Sequence, residues 1–172
     1  IHFLGLAVQP RWDSPQDMFG FYNYMEQKYK STELARAMVQ FEYYNKLAQG
    51  GDLKDEMMLV LLDEMNLARV EYYFSEFLSK LEVRRDIDPK ILTDRQKVEI
   101  ALEMGHGNKD MEEVRLYPDR NILFVGTMNE DESTQNLSDK VLDRSCVLRF
   151  GKPKTLQTKQ VDQAAVTTAA NG

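Results

Sequence analysis

The sequence predicts an α/β fold, a mostly parallel open sheet with helices on both faces, and two features carry that prediction. Residues 57–62 (MMLVLL) and 121–126 (NILFVG) are apolar runs without alternation, the pattern of strands covered on both faces. Around them lie segments whose apolar residues recur every three and four positions, as the buried stripe of a helix does. Strands that alternate with helices build parallel sheets.

Residues 1–8 (IHFLGLAV) read as a short buried strand, closed at Gln9-Pro10 because proline has no N–H to give a ladder. Ser14 then caps a helix, with Pro15 at its first position and Asp17 in its first turn, and this helix is expected to run to about Tyr29. A second helix over residues 32–47 places Leu34, Ala37, Met38, Phe41 and Tyr44 on one stripe and breaks at Gly50-Gly51. The strand at 57–62 ends abruptly in Asp63-Glu64. A helix over 67–82 follows, with Val70, Tyr73, Phe74, Phe77, Leu78 and Leu81 on its apolar side. Residues 84–118 are polar and charged, with a short helix expected near 96–103 and Gly105-His106-Gly107-Asn108 as a loop tip. The strand at 121–126 ends at Thr127-Met128-Asn129. Residues 139–143 (DKVLD) read as the end of a helix, and 146–150 (CVLRF) as a further strand with Cys146 in the core. Residues 1–153 thus make the domain, and 154–172, without a core period, make a tail.

Bulk properties narrow the function. With 172 residues, 42% of them hydrophobic, the chain is the size of one ordinary domain. Its net charge of -6 and its short basic clusters give no electropositive stripe for nucleic acid. One cysteine and two histidines exclude a disulfide framework and a Cys/His zinc site. No apolar run approaches the ~20 residues of a membrane helix and no signal peptide opens the chain, so a cytoplasmic setting is expected. The chain starts at Ile1 rather than at a methionine and reads as an interior piece.

In an open parallel sheet, ligands bind at the carboxyl ends of the strands, where Asp63, Glu64 and Asn129 would all project. An apolar strand ending in two acids matches the Walker B pattern. In that pattern the aspartate, here Asp63, holds Mg²⁺ through its water shell, and the next acid, here Glu64, polarises the attacking water. Asn129 at the end of a second strand is suited to orient that water. A plainer reading also stands: the acids favour the positive end of the next helix, and Asn129 caps a turn.

An apolar strand with DE, a long gap, then an apolar strand with GTMN resembles the AAA+ superfamily, and the resemblance covers about residues 1–153. Asp63-Glu64-Met65-Asn66 is similar to the "DE-apolar-N" signature of McrB-like and MoxR-like ATPases, and Gly126-Thr127-Met128-Asn129 to the GTMN of the McrB side. Leu142-Asp143-Arg144, with Leu137 and Leu148, resembles the segment whose arginine reaches the γ-phosphate on a neighbouring subunit, although Ser145 stands where phenylalanine is usual. The resemblance implies a partial P-loop NTPase core from a restriction or defence motor that hydrolyses ATP between the subunits of a homo-oligomeric ring, alongside a nuclease partner subunit. It assigns Glu64, Asn129 and Arg144 to catalysis, Asp63 to Mg²⁺, and Asp63 and Asn66 to the cofactor. The phosphate-binding G-x-x-x-x-G-K-[ST] occurs nowhere in these residues, so tight binding of ATP and Mg²⁺ is expected only in an intact protein that supplies it. Two rival readings are a non-catalytic assembly module with the same shape and a MoxR-type chaperone ATPase. A salt bridge from Arg144 to Asp139 or Asp143 is the structural alternative to its role in trans.

Overall fold

A computed structural model describes residues 1–47, 56–102, 114–129 and 135–151. In chain order these form β1 (His2–Ala7), α1 (Pro15–Phe19), β2 (Gly20–Asn23), β3 (Lys28–Ser31), α2 (Glu33–Leu47) and β4 (Met58–Asp63). A 3-10 turn (Met65–Leu67) leads to α3 (Val70–Tyr73), α4 (Ser75–Val83), α5 (Leu92–Val98), β5 (Ile100–Ala101), β6 (Arg115–Leu116), β7 (Ile122–Gly126) and α6 (Asp139–Leu142). The expected break at Gly50-Gly51, the tip at 105–108 and the tail lie outside the described residues.

The fold is α/β, with a parallel sheet in the order β1-β4-β7. Both apolar runs found in the sequence are strands of this sheet, with Leu59 opposite Phe3 on one side and Leu123 on the other. The two faces differ. Met58, Val60, Leu62 and Ile122 are buried and join Leu34, Met38, Val70, Tyr73, Phe74 and Phe77 from the helices in one core, with Leu4, Leu6 and Phe124 packed at its margin. On the opposite face Phe3, Leu123 and Val125 are exposed, so the described helices cover one side of the sheet.

The expected helices on both faces of the sheet are not found among the described residues, where one face stays open, and four further expectations are corrected. The helix from Ser14 stops at Phe19 instead of continuing to Tyr29. Gly20 has φ 110°, and a β-carbon there would collide with the carbonyl of Lys30, so the chain turns into a β2–β3 hairpin with Gly20 opposite Ser31. Tyr29, expected on a helix, instead donates its hydroxyl to the Phe19 carbonyl at 3.0 Å. The single helix over 67–82 is divided at Phe74, although its stripe of Val70, Tyr73, Phe74, Phe77 and Leu78 is buried as expected. The short helix near 96–103 lies earlier, at Leu92–Val98, because residues 100–101 are taken by antiparallel pairing with β6. Residues 146–150 form no strand. They have no sheet neighbour among the described residues, and Cys146, Leu148 and Phe150 are exposed rather than in the core.

Other elements follow the sequence. Thr32 caps α2, accepting the Ala35 N–H at 3.2 Å, and Asp17 accepts the Ser14 N–H at 3.1 Å. Arg95 of α5 bridges Glu42 of α2 and Glu99, both buried, and stacks 4.5 Å from the Tyr117 ring centroid, so two buried acids share one cation.

The unequal faces give a direct test of the core. Leu62→Ala should cost about 2–5 kcal/mol, whereas Leu61→Ala, on the open face, should cost less than half as much in urea denaturation. Equal losses would contradict a core on one side.

Candidate functional site

Parallel register sets the site. Leu62 of β4 pairs with Gly126 of β7 and Ala7 of β1 pairs with Asp63, so all three strands finish at one edge. The ladder continues one residue further. Val8 donates its N–H to the Asp63 carbonyl at 3.1 Å and Thr127 to the Leu62 carbonyl at 3.0 Å. At Glu64 the chain leaves the strand with φ 52° and ψ 47°, a left-handed conformation that costs a residue with a side chain about 1–3 kcal/mol.

Neighbouring groups hold that turn. Glu64 N–H donates to Thr127 Oγ1 at 2.9 Å, Thr127 Oγ1 donates to Asp63 Oδ1 at 2.6 Å, and Met65 N–H donates to the Thr127 carbonyl at 2.9 Å. From the core side the Tyr73 hydroxyl donates to the Met65 carbonyl at 2.7 Å. Burial, and then the charge of Glu71, push the Tyr73 hydroxyl far above the ordinary tyrosine range, so it stays a neutral donor. Gly126 leaves the space that the Met65 side chain fills; a β-carbon there would collide with its sulfur.

The structure brings Asp63, Glu64 and Asn129 together, all exposed. Asn129 Nδ2 donates to Glu64 Oε1 at 3.2 Å across the strand ends. A carboxylate whose oxygen is fixed by a neutral amide keeps its other oxygen for a water or a substrate hydroxyl. Asn66 sits behind this pair. It is 4% exposed, and its amide nitrogen donates to the carbonyls of Asn129 at 2.8 Å and Gln135 at 3.3 Å, while Gln135 N–H returns to the Asn66 carbonyl at 2.9 Å. Its Oδ1 is buried and has no hydrogen-bond partner among the described residues. Asn66 therefore braces both ends of the segment after β7 rather than opening onto solvent.

Arg144 is held elsewhere. Its Nε lies 3.1 Å from Glu82 Oε2 and its Nη1 donates to Ser79 Oγ at 2.6 Å, so the partner of its salt bridge is on α4 and not Asp139 or Asp143. The same segment is hung on α3, where Glu71 Oε1 accepts the Ser138 N–H at 3.0 Å at the start of α6.

Thr127 is the residue that sequence reasoning missed. Its signal was visible as a hydroxyl one position past a buried strand whose neighbour ends in acids. A separate cleft of about 550 Å³, lined by Phe19, Tyr29, Phe77, Lys80 and Arg115 among others, shares no residue with the acids. Lys80 there already donates to the Glu99 carbonyl at 2.8 Å. Strand-end chemistry, not cavity size, therefore selects the site.

With this geometry, the fold and site define an α/β protein that carries a paired-acid turn at the carboxyl edge of a parallel sheet. Comparison with protein-family models, with curated proteins and with solved structures found no match. No helix among the described residues is long and apolar enough to cross a membrane.

Two expectations follow for stability. Asn66→Ala removes a buried brace and should lower stability by about 1–3 kcal/mol, measured by thermal or urea unfolding. For Glu71, burial opposes ionisation, but Ser138, the Glu71 backbone N–H and the Arg69 charge together outweigh it and hold the carboxyl below the usual glutamate range. A folded value below the unfolded one means that its contribution is complete at neutral pH and is lost as pH falls through the lowered value. The stability gap between wild type and Glu71→Gln should therefore be widest near neutrality and close on acidification; a gap that widens in acid would contradict it.

Proposed function

We propose that this chain supplies the water-activating half of an AAA+ ATPase of the McrB-like kind, which hydrolyses ATP between the subunits of a ring. The observation that carries the reading is the hydrogen bond from Asn129 to Glu64 at the ends of adjacent parallel strands, with Asp63 one residue before. Glu64 is the general base, Asn129 fixes its carboxylate and orients the water, and Asp63 is the metal-side acid.

The exposed Asp63 carboxylate suits Mg²⁺ held through its water shell. Asp63 is exposed, Thr127 takes its Oδ1, and Oδ2 is left for a metal-bound water; among the described residues no group of three or more His, Cys, Asp or Glu builds a cage. That donor set suits a small, hard cation that keeps most of its water shell and leans on one or two carboxylates. When bound, Mg²⁺ would neutralise charge on the phosphates. The phosphate cradle itself must come from residues other than these.

Arg144 is the residue assigned to the neighbouring subunit's nucleotide. Its bonds to Glu82 and Ser79 favour a second reading, a non-catalytic assembly module in which Arg144 only ties α6 to α4. Glu64→Gln in the full-length protein separates the two. A lost general base should lower ATP turnover by about 100-fold or more while nucleotide binding persists. Unchanged turnover would favour the assembly module.

A further inference from the structure

We infer that Thr127 is a positioning residue for the proposed hydrolysis, acting through both acids at once; the inference rests on the ATPase reading above. Its hydroxyl lies between them, donating to Asp63 Oδ1 at 2.6 Å and accepting the Glu64 N–H at 2.9 Å. A hydroxyl has one proton and two lone pairs, so it does both without competition. The single proton is committed to Asp63, which orients that carboxylate. The accepted N–H belongs to the residue whose backbone is left-handed, so Thr127 also secures the turn that aims Glu64.

The backbone of Thr127 strengthens the assignment. Its N–H ends the β4–β7 ladder on Leu62 and its carbonyl takes the Met65 N–H at 2.9 Å, so the hydroxyl is anchored on both sides of the turn it serves. β-branching restricts the side chain to few rotamers, which keeps the hydroxyl on the acids. Asn129, two residues on, holds the far end of Glu64. Thr127 thus governs where the Glu64 backbone sits, and Asn129 where its carboxylate sits.

Valine keeps the shape and branching of threonine but neither donates nor accepts, and serine keeps the hydroxyl. In the full-length protein, Thr127→Val should lower kcat for ATP about 10- to 100-fold with KM changed less than about 3-fold, because Glu64 acts after nucleotide is bound and Asp63 meets Mg²⁺ only through its water shell. Thr127→Ser should recover kcat to within about 3-fold of wild type. A purely structural role would lower the melting temperature without this split between kcat and KM. If the valine variant does not fold, Thr127→Ala, at an exposed position, is measured against the same thresholds. A folded variant lacking the hydroxyl with kcat within about 2-fold of wild type overturns the inference, as does a serine variant that falls as far as valine. Glu64→Gln is run in parallel. If it collapses turnover while Thr127→Val does not, the positioning role alone is wrong; if it leaves turnover unchanged, the ATPase reading fails and takes this role with it.

Discussion

Everything at the candidate site depends on the register between β4 and β7. With Leu62 opposite Gly126, the last residue of one strand, Asp63, stands beside the first residue past the other, Thr127, and their side chains bond. A slip of one residue would turn Val60 and Leu62 from the core to the open face and separate Thr127 from Asp63. The register is fixed by burial on one side only, where Met58, Val60, Leu62 and Ile122 meet α2, α3 and α4. The hydrophobic core and the polar edge are therefore consequences of one alignment.

The edge holds a costly conformation. Glu64 is left-handed without being glycine, and it is kept there by hydrogen bonds from three directions: Thr127 in front, Tyr73 beneath through Met65, and Asn66 behind through Asn129. Such strain persists only where the surroundings over-determine it, and it clusters at working sites. The absence of a β-carbon at Gly126, which makes room for Met65, belongs to the same arrangement.

Much of this was legible in the sequence because the decisive signals are local. Unbroken apolar runs marked β4 and β7, their abrupt polar ends marked the acids and Asn129, and the three- and four-residue spacing marked the buried stripe of α3 and α4. What was not legible depended on contacts far apart in the chain. The hairpin that replaces the second half of the first helix rests on Gly20 meeting the Lys30 backbone, and the placement of α5 rests on residues 100–101 pairing with 115–116. Residues 146–150 have strand composition, yet composition without a neighbouring edge makes no strand. Arg144 could be singled out from its motif, but its bond to Glu82, 62 residues away by subtraction of the two numbers, is a fact of tertiary packing. Thr127 was passed over because threonine at a strand end is unremarkable until the opposite strand is known.

The central claim is that Glu64 and Asn129 act as one unit, and a double-mutant cycle on ATP turnover tests it most directly. Glu64→Gln, Asn129→Ala and the double variant are compared in the full-length protein. If the amide works through the carboxylate, the double variant falls no further than about 2- to 3-fold below Glu64→Gln alone, because the second change removes nothing that the first has left. Losses that multiply, each residue contributing its full factor whether or not the other is present, would contradict the account.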